Sequence, residues 1–166
     1  MARTLIVYHS LTGTARRVAE LLRQMTQWQM LEVFDAQAHS ARQGDKPTPE
    51  YACCGPDASQ FDRLVVITPV WLGELAAPLR GLLRDVFKTS QAPRVKQVSL
   101  VCVVGLDGVA HAAAEVARLV GSPLLPQLIL SHDDVADASC IGALQAFADT
   151  VHALDNKACS TCSPHA

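Results

Sequence analysis

Ser10, Thr12 and Thr14 place three hydroxyls within five residues, with Leu11 and Gly13 between them. The segment has no charge of its own. The apolar run Leu5-Ile6-Val7-Tyr8 precedes it, and the periodic stretch Ala15 to Trp28 follows. The hydroxyls therefore belong to a short loop between a strand and a helix. Such a loop is an anion site. The first helical N–H groups lack intrahelical partners, and the helix dipole adds partial positive charge. Ser10, Thr12 and Thr14 can donate further hydrogen bonds to phosphate oxygens, and Gly13 lets the backbone turn tightly. An ordinary strand–helix connection capped by Ser or Thr is the alternative reading.

Other residues have chemistry-bearing spacing. Cys159 and Cys162 have the separation of a metal ligand pair or a redox dithiol, and Cys53, Cys54 and His165 are the nearest candidates to complete a metal set. A redox pair of this spacing usually opens a helix that lowers the thiol pKa, whereas this one lies near a C-terminus, as an unused tail pair would. Cys102 falls in a core run and reads as a small buried hydrophobe. His9 sits beside the hydroxyl loop, to contact a ligand or simply to close a strand. His132-Asp133-Asp134 follows the last strand without a third partner for a metal. The chain has no nucleophile elbow, no P-loop lysine and no zinc-protease helix. Neither a catalytic side chain nor a metal site is expected.

The elements that must position the loop alternate. Apolar runs mark strands at Leu5–Tyr8, Met30–Phe34, Arg63–Thr68, Val98–Val104 and Leu124–Ser131, the last at an edge because of Pro126. Helical periodicity marks Ala15–Trp28, Glu74–Thr89 with Pro78 in its first turn, Val109–Val120 closed by Gly121, and Asp137–Asp155. Pro69-Val70-Trp71-Leu72-Gly73 breaks the third strand. Periodicity disappears from Ala36 to Ser59, a long loop with a helical turn near Asp57–Phe61; loops of this length are often functional. Strand–helix alternation implies an α/β fold, a five-stranded parallel sheet with helices on both faces. Residues 1–155 form one domain and 156–166 a polar tail.

The totals bound the function. The chain has 166 residues, 49% apolar and 18% charged, which suits one globular core. A formal charge of −2 without a basic stripe excludes nucleic acid as the main partner. No apolar stretch approaches the roughly 20 residues that span a bilayer. Met1-Ala2-Arg3-Thr4 runs straight into the first strand, so a signal peptide is not expected and a cytoplasmic location is. Six cysteines are then not a disulfide framework.

Three segments lie at carboxyl ends of predicted strands, where ligands of parallel sheets bind: Ser10–Thr14, Pro69–Gly73 and Gly105–Gly108. Trp71, one of only two tryptophans, is a stacking plane for a flat ring if exposed, or a core residue that pins its loop. Backbone N–H groups of the third loop can address a ring's carbonyl edge. Phosphate loop, stacking plane and polar edge together describe a flavin mononucleotide (FMN) site.

Tyr8-His9-Ser10-Leu11-Thr12-Gly13-Thr14-Ala15, with the amphipathic stretch after it, resembles the FMN phosphate loop of the flavodoxin-like family, which includes short-chain flavodoxins and flavodoxin-type NAD(P)H:quinone or FMN reductases. Thr68 to Arg80 is similar to that family's second flavin loop and following helix. The resemblance in strand–helix order runs from Thr4 to Asp155. It implies a three-layer flavodoxin-like fold, strand order 2-1-3-4-5, with FMN near strands 1, 3 and 4. It implies cofactor contacts from Ser10, Leu11, Thr12, Gly13, Thr14 and Ala15 around the phosphate. Pro69, Val70, Trp71, Leu72 and Gly73 would contact the ring, with Trp71 stacked on it and the Gly73 backbone near N5. Gly105, Leu106, Asp107 and Gly108 would complete the site.

Two positions depart from that pattern. Many family members have threonine where this chain has Ala15, and electron carriers usually have an aromatic in the third loop, where Val104–Val109 has none. One flavin face would then be open. The expected function is FMN-dependent oxidoreduction, electrons passing from NAD(P)H to a quinone or similar acceptor. The 36–59 loop or a second subunit of a homo-oligomer would cover the open face. A one-electron carrier docking to redox partner proteins is the alternative, although such carriers tend to be strongly acidic. A third reading is a module that has lost FMN.

Overall fold

Buried, unalternating apolar runs build the centre of the sheet. The computed structural model describes residues 2–36, 51–70, 73–88, 95–105 and 109–159, with side chains through residue 154. Every residue of β1 (Thr4–Tyr8) is buried, as it must be for a strand with helices on both faces. Its side chains alternate between two cores. Leu5 and Val7 join Leu79, Leu83 and Val116 on one face; Ile6 and Tyr8 join Val18, Leu22 and Phe147 on the other. Fully burying each such side chain contributes about 1.5–3 kcal/mol, so the strand is fixed in register from both sides.

Chain order continues with α1 (Thr14–Thr26), β2 (Gln29–Asp35), β3 (Tyr51–Cys54), a 3₁₀ turn at Ala58–Gln60, and β4 (Arg63–Val70). Then come α2 (Ala77–Lys88), β5 (Gln97–Val104), α3 (Val109–Val120), β6 (Gln127–Ser131), α4 (His132–Ala136) and α5 (Ile141–Cys159). The sheet order is β3-β2-β1-β4-β5-β6. Helices α2 and α3 cover one face, α1, α4 and α5 the other. The parallel strands keep the expected order. Tyr8 pairs with Glu32 of β2 and with Ile67 of β4, and Val66 pairs with Leu100 of β5. Arg63 ties β4 to α5 by donating from Nη1 to the Val151 carbonyl at 2.8 Å. Among the described residues no helix is long and apolar enough to cross a membrane.

The sheet has six strands, not five. β3 adds antiparallel to β2, with Val33 opposite Cys53 and Phe34 opposite Ala52. It falls inside the stretch read as a loop. Four residues with two exposed cysteines have too little apolar alternation to announce a strand. The free edge of β2 makes it one, and the Tyr51 hydroxyl donates to Asp85 of α2 at 2.8 Å. Residues 37–50 of the same stretch lie outside the described residues. β3 itself is remote from the third loop, with β2, β1 and β4 between it and β5.

Pro69 does not break the third parallel strand; it pairs with Val103 inside β4. β1 ends opposite Ile67, so past that point β4 is paired on one side only, where a missing N–H matters least. Helix α2 begins at Ala77 rather than Glu74, since a start at Glu74 would set the Pro78 ring against the carbonyl four residues back. The last helix begins at Ile141 rather than Asp137, and a short helix that the sequence did not announce, α4, precedes it. Ser131 and Asp134 form a reciprocal capping box on α4, and Ala138, at φ 62°, separates it from α5. α5 continues past Asp155 to Cys159.

Candidate functional site

The hydroxyl loop forms at the carboxyl end of β1, which β2 flanks on one side and β4 on the other. This is the switch point of the sheet. Gly13 is the residue before α1 and has φ 90°, a conformation that only glycine adopts without strain. Ser10 Oγ accepts from the backbone N–H groups of Gly13 at 3.1 Å and Arg16 at 3.2 Å. It therefore shapes the loop from within. Thr12 and Thr14 hydroxyl oxygens lie 3.3 Å apart. The first turn of α1 carries no acid, so nothing there opposes an anion. Arg16 is paired with Glu32 of β2. Ala15 is buried in the core with Val18 and adds no polar group to the loop. Leu11 is 73% exposed at the loop's tip.

Of the second loop, Pro69 and Val70 lie in β4 and Gly73 takes φ 85°; Trp71 and Leu72 lie outside the described residues. Of the third, Gly105 follows β5, and Leu106, Asp107 and Gly108 lie outside the described residues. The structure brings Gly105 toward the hydroxyl loop through a residue assigned no such role from sequence. His132, first in α4, sets Nδ1 3.2 Å from Thr14 Oγ1, and its ring passes beside Gly105, where an added Cβ would meet His132 Cδ2 at 3.8 Å. The signal was available: His132 directly follows a strand's carboxyl end, as the three loops do. Asp133 and Asp134 do not join it as ligands. Asp134 accepts from the Ser131 backbone at 3.0 Å, and hydrogen bonds from Ser131 hold its pKa below the usual carboxylate value. Among the described residues no three His, Cys, Asp or Glu gather as a metal site.

A cavity of about 300 Å³ opens beside the loop, at the carboxyl ends of β1, β2 and β4. His9, Leu11, Asp35 and Pro69 line one part, and the Glu74–Pro78 segment forms the other. That segment is anchored from behind. Arg80 Nε donates to Glu115 at 2.5 Å, Arg80 Nη2 to the Leu75 carbonyl at 3.3 Å, and the Leu75 N–H to Glu115 at 3.4 Å. His9 is buried, and its Nδ1 lies 2.8 Å from the Val33 carbonyl. The sequence pointed to His9 but not to Asp35 or Glu74 as its neighbours.

The Cys102 thiol and the Tyr8 phenol stay protonated at neutral pH. Burial pushes Cys102 in β5 up to about 12, which makes it inert as a nucleophile. Burial, then the Glu32 carboxylate, raises the Tyr8 hydroxyl. Cys53 and Cys54 are free and exposed on β3. The backbone of Cys159 ends α5; its side chain, Cys162 and His165 lie outside the described residues.

No protein-family model and no curated protein sequence matches the chain. Solved structures do. A flavodoxin from Fusobacterium nucleatum bound to flavin mononucleotide superposes with TM-score 0.62 at 13% identity, covering 92% of this chain and 98% of that one. A flavoprotein from Lactobacillus acidophilus in complex with FMN gives TM-score 0.58 at 21% identity, over 83% and 98%. The fold is flavodoxin-like. A flavodoxin, WrbA-like protein from Agrobacterium tumefaciens shares it at TM-score 0.58 and 13% identity, over 90% and 96%. The flavodoxin-like frame accounts for why the hydroxyl loop, Gly73 and Gly105 all fall at one end of the sheet.

Proposed function

We propose that this chain binds FMN and uses it to pass electrons from NAD(P)H to a quinone or similar small acceptor. The observation that carries the reading is the loop: Gly13, at φ 90°, opens α1 beneath three hydroxyl residues, with no acid in the helix's first turn. Thr12, Thr14 and the backbone from Gly13 hold the phosphate, and Ser10 holds the loop in shape. Pro69 to Gly73, with Trp71 as stacking plane, and Gly105 to Gly108 flank the ring. Two structures of the same fold, from L. acidophilus and F. nucleatum, hold FMN, which supports the choice of cofactor. FMN, when bound, supplies the hydride and electron chemistry; the chain's part is to bind and orient it. The loop suits one terminal phosphate and lacks the spacing of a dinucleotide turn. Titration with FMN, FAD and riboflavin should rank FMN first; equal affinity for riboflavin would remove the phosphate assignment. A carrier of single electrons between proteins is the second reading, which the net charge of −2 disfavours.

A further inference from the structure

We infer that the cavity beside the hydroxyl loop is a binding site for a small uncharged hydroxyaromatic molecule, whose O–H donates to Nε2 of His9. A carbonyl can only accept, so at 2.8 Å from the Val33 oxygen His9 Nδ1 must carry the proton. In the neutral ring Nε2 is then a bare acceptor. His9 is 5% exposed, so the ring is held on nearly all sides. No described hydrogen bond reaches Nε2, yet no buried side-chain nitrogen or oxygen among the described residues lacks a partner. Nε2 is therefore open to space, and the space that His9 lines is this cavity.

The other walls define the rest of the ligand. Leu11, Pro69, Leu75, Ala76 and Pro78 offer apolar surface, and about 300 Å³ is room for a single substituted ring. Apolar walls around one fixed acceptor select an apolar body with one placed donor, because a ligand without the donor leaves a desolvated nitrogen unpaired. Glu74 borders the same space, and its carboxylate disfavours an anion there. A phenolic hydroxyl meets these terms; a carboxylate does not. Leu11 and Pro69 also belong to loops assigned to the cofactor above, so ligand and cofactor would share walls. The inference itself rests on the cavity and not on the flavin reading.

The test is a titration of the full chain, first without and then with added FMN, followed by ¹⁵N NMR of the His9 ring. The probes are phenol, anisole and benzoate. Phenol should shift the Nε2 resonance saturably, while anisole, which has no O–H, binds roughly five- to tenfold more weakly and benzoate more weakly still. His9→Asn keeps a donor at the position of Nδ1 for the Val33 carbonyl and removes the acceptor at the position of Nε2. It should erase the preference for phenol over anisole. Equal affinity of the native chain for phenol and anisole, or saturation without a His9 shift, would overturn the proposal. That comparison needs no variant, so it decides the matter even if His9→Asn folds poorly. Because the first titration contains no flavin, its failure would leave the FMN ranking standing, and the reverse.

Discussion

Nδ1 of His132 and Oγ1 of Thr14 lie 3.2 Å apart, although 118 residues separate them. The contact joins the carboxyl end of β6 to the first turn of α1 and fixes the rotamer of a hydroxyl assigned to the phosphate. His132→Ala frees that hydroxyl. The affinity for FMN should fall roughly two- to tenfold, the worth of one hydrogen bond. Riboflavin, which has no phosphate, should bind as before. Fluorescence titration of both ligands on both proteins checks this, and a parallel loss for riboflavin would mean that His132 supports only the fold.

Two glycines with positive φ separate backbone strain from steric conflict. At Gly13, φ is 90° and an added Cβ meets nothing within 4 Å. Gly13→Ala should therefore cost only the left-handed backbone, roughly 1–2 kcal/mol, together with a loss of FMN affinity. At Gly55, φ is 145° and the added Cβ would lie 2.6 Å from the Met30 carbonyl oxygen in β2. Gly55→Ala should cost roughly 3 kcal/mol or more and loosen β3 while leaving the loop at Gly13 intact. Denaturant midpoints and FMN titration of the two variants should show opposite orders of damage.

The contrast between β1 and β3 shows what the sequence could reveal. Leu5 to Val7 is apolar without alternation because both faces are covered, and Gly13 marks its turn by type alone. The hydroxyl loop was legible for those local reasons, while the order of the parallel strands came from the resemblance to the flavodoxin-like family. Tyr51 to Cys54 becomes a strand only through the edge of β2, and Pro69 stays in β4 only because β1 ends opposite Ile67. Those outcomes depend on neighbours that sequence order does not supply. The cap at Ser131 was legible in principle, since Ser131 and Asp134 have capping-box spacing. The partnership of His132 with Thr14 is wholly tertiary.

Asp134 makes that cap sensitive to pH. Its carboxyl is held below the usual value by hydrogen bonds from Ser131 and, less, Ser139. A depressed carboxyl contributes stability that is complete above the unfolded-chain pKa of about 3.9. The contribution is lost as pH falls through the lower folded value. Ser131→Ala should therefore lower the melting temperature at pH 6 and progressively less below pH 4. Melting curves from pH 2 to 7 on both proteins test it; a constant difference across that range would mean that the Asp134 charge has no part in the cap.

The two tryptophans report different places. Trp28 is buried, with its ring centroid 5.0 Å from that of His152, on the α1 and α5 side of the sheet. Its emission should not change when FMN binds. Trp71, taken as the stacking plane, should be strongly quenched, and Trp71→Ala should weaken FMN by roughly 1–3 kcal/mol, as stacking on aromatic side chains does. Quenching that survives in Trp71→Ala and vanishes in Trp28→Phe would reverse the assignment.

The last prediction separates enzyme from carrier. An aromatic on each face hides a flavin ring and leaves mainly an edge for electron exchange. Trp71 can cover one face, while Val104 to Val109 has no aromatic for the other. The described strand of the 36–59 stretch is held at the far edge of the sheet by Val33 and Phe34, so β3 does not supply a cover. Hydride transfer needs such an open face, because the nicotinamide must approach within roughly 3–3.5 Å. In stopped-flow mixing, NADH or NADPH should bleach the FMN-loaded protein directly, and a quinone should restore its colour. If neither nicotinamide acts within minutes while a separate reductase protein does, the flavin exchanges electrons through its edge and the chain is a carrier.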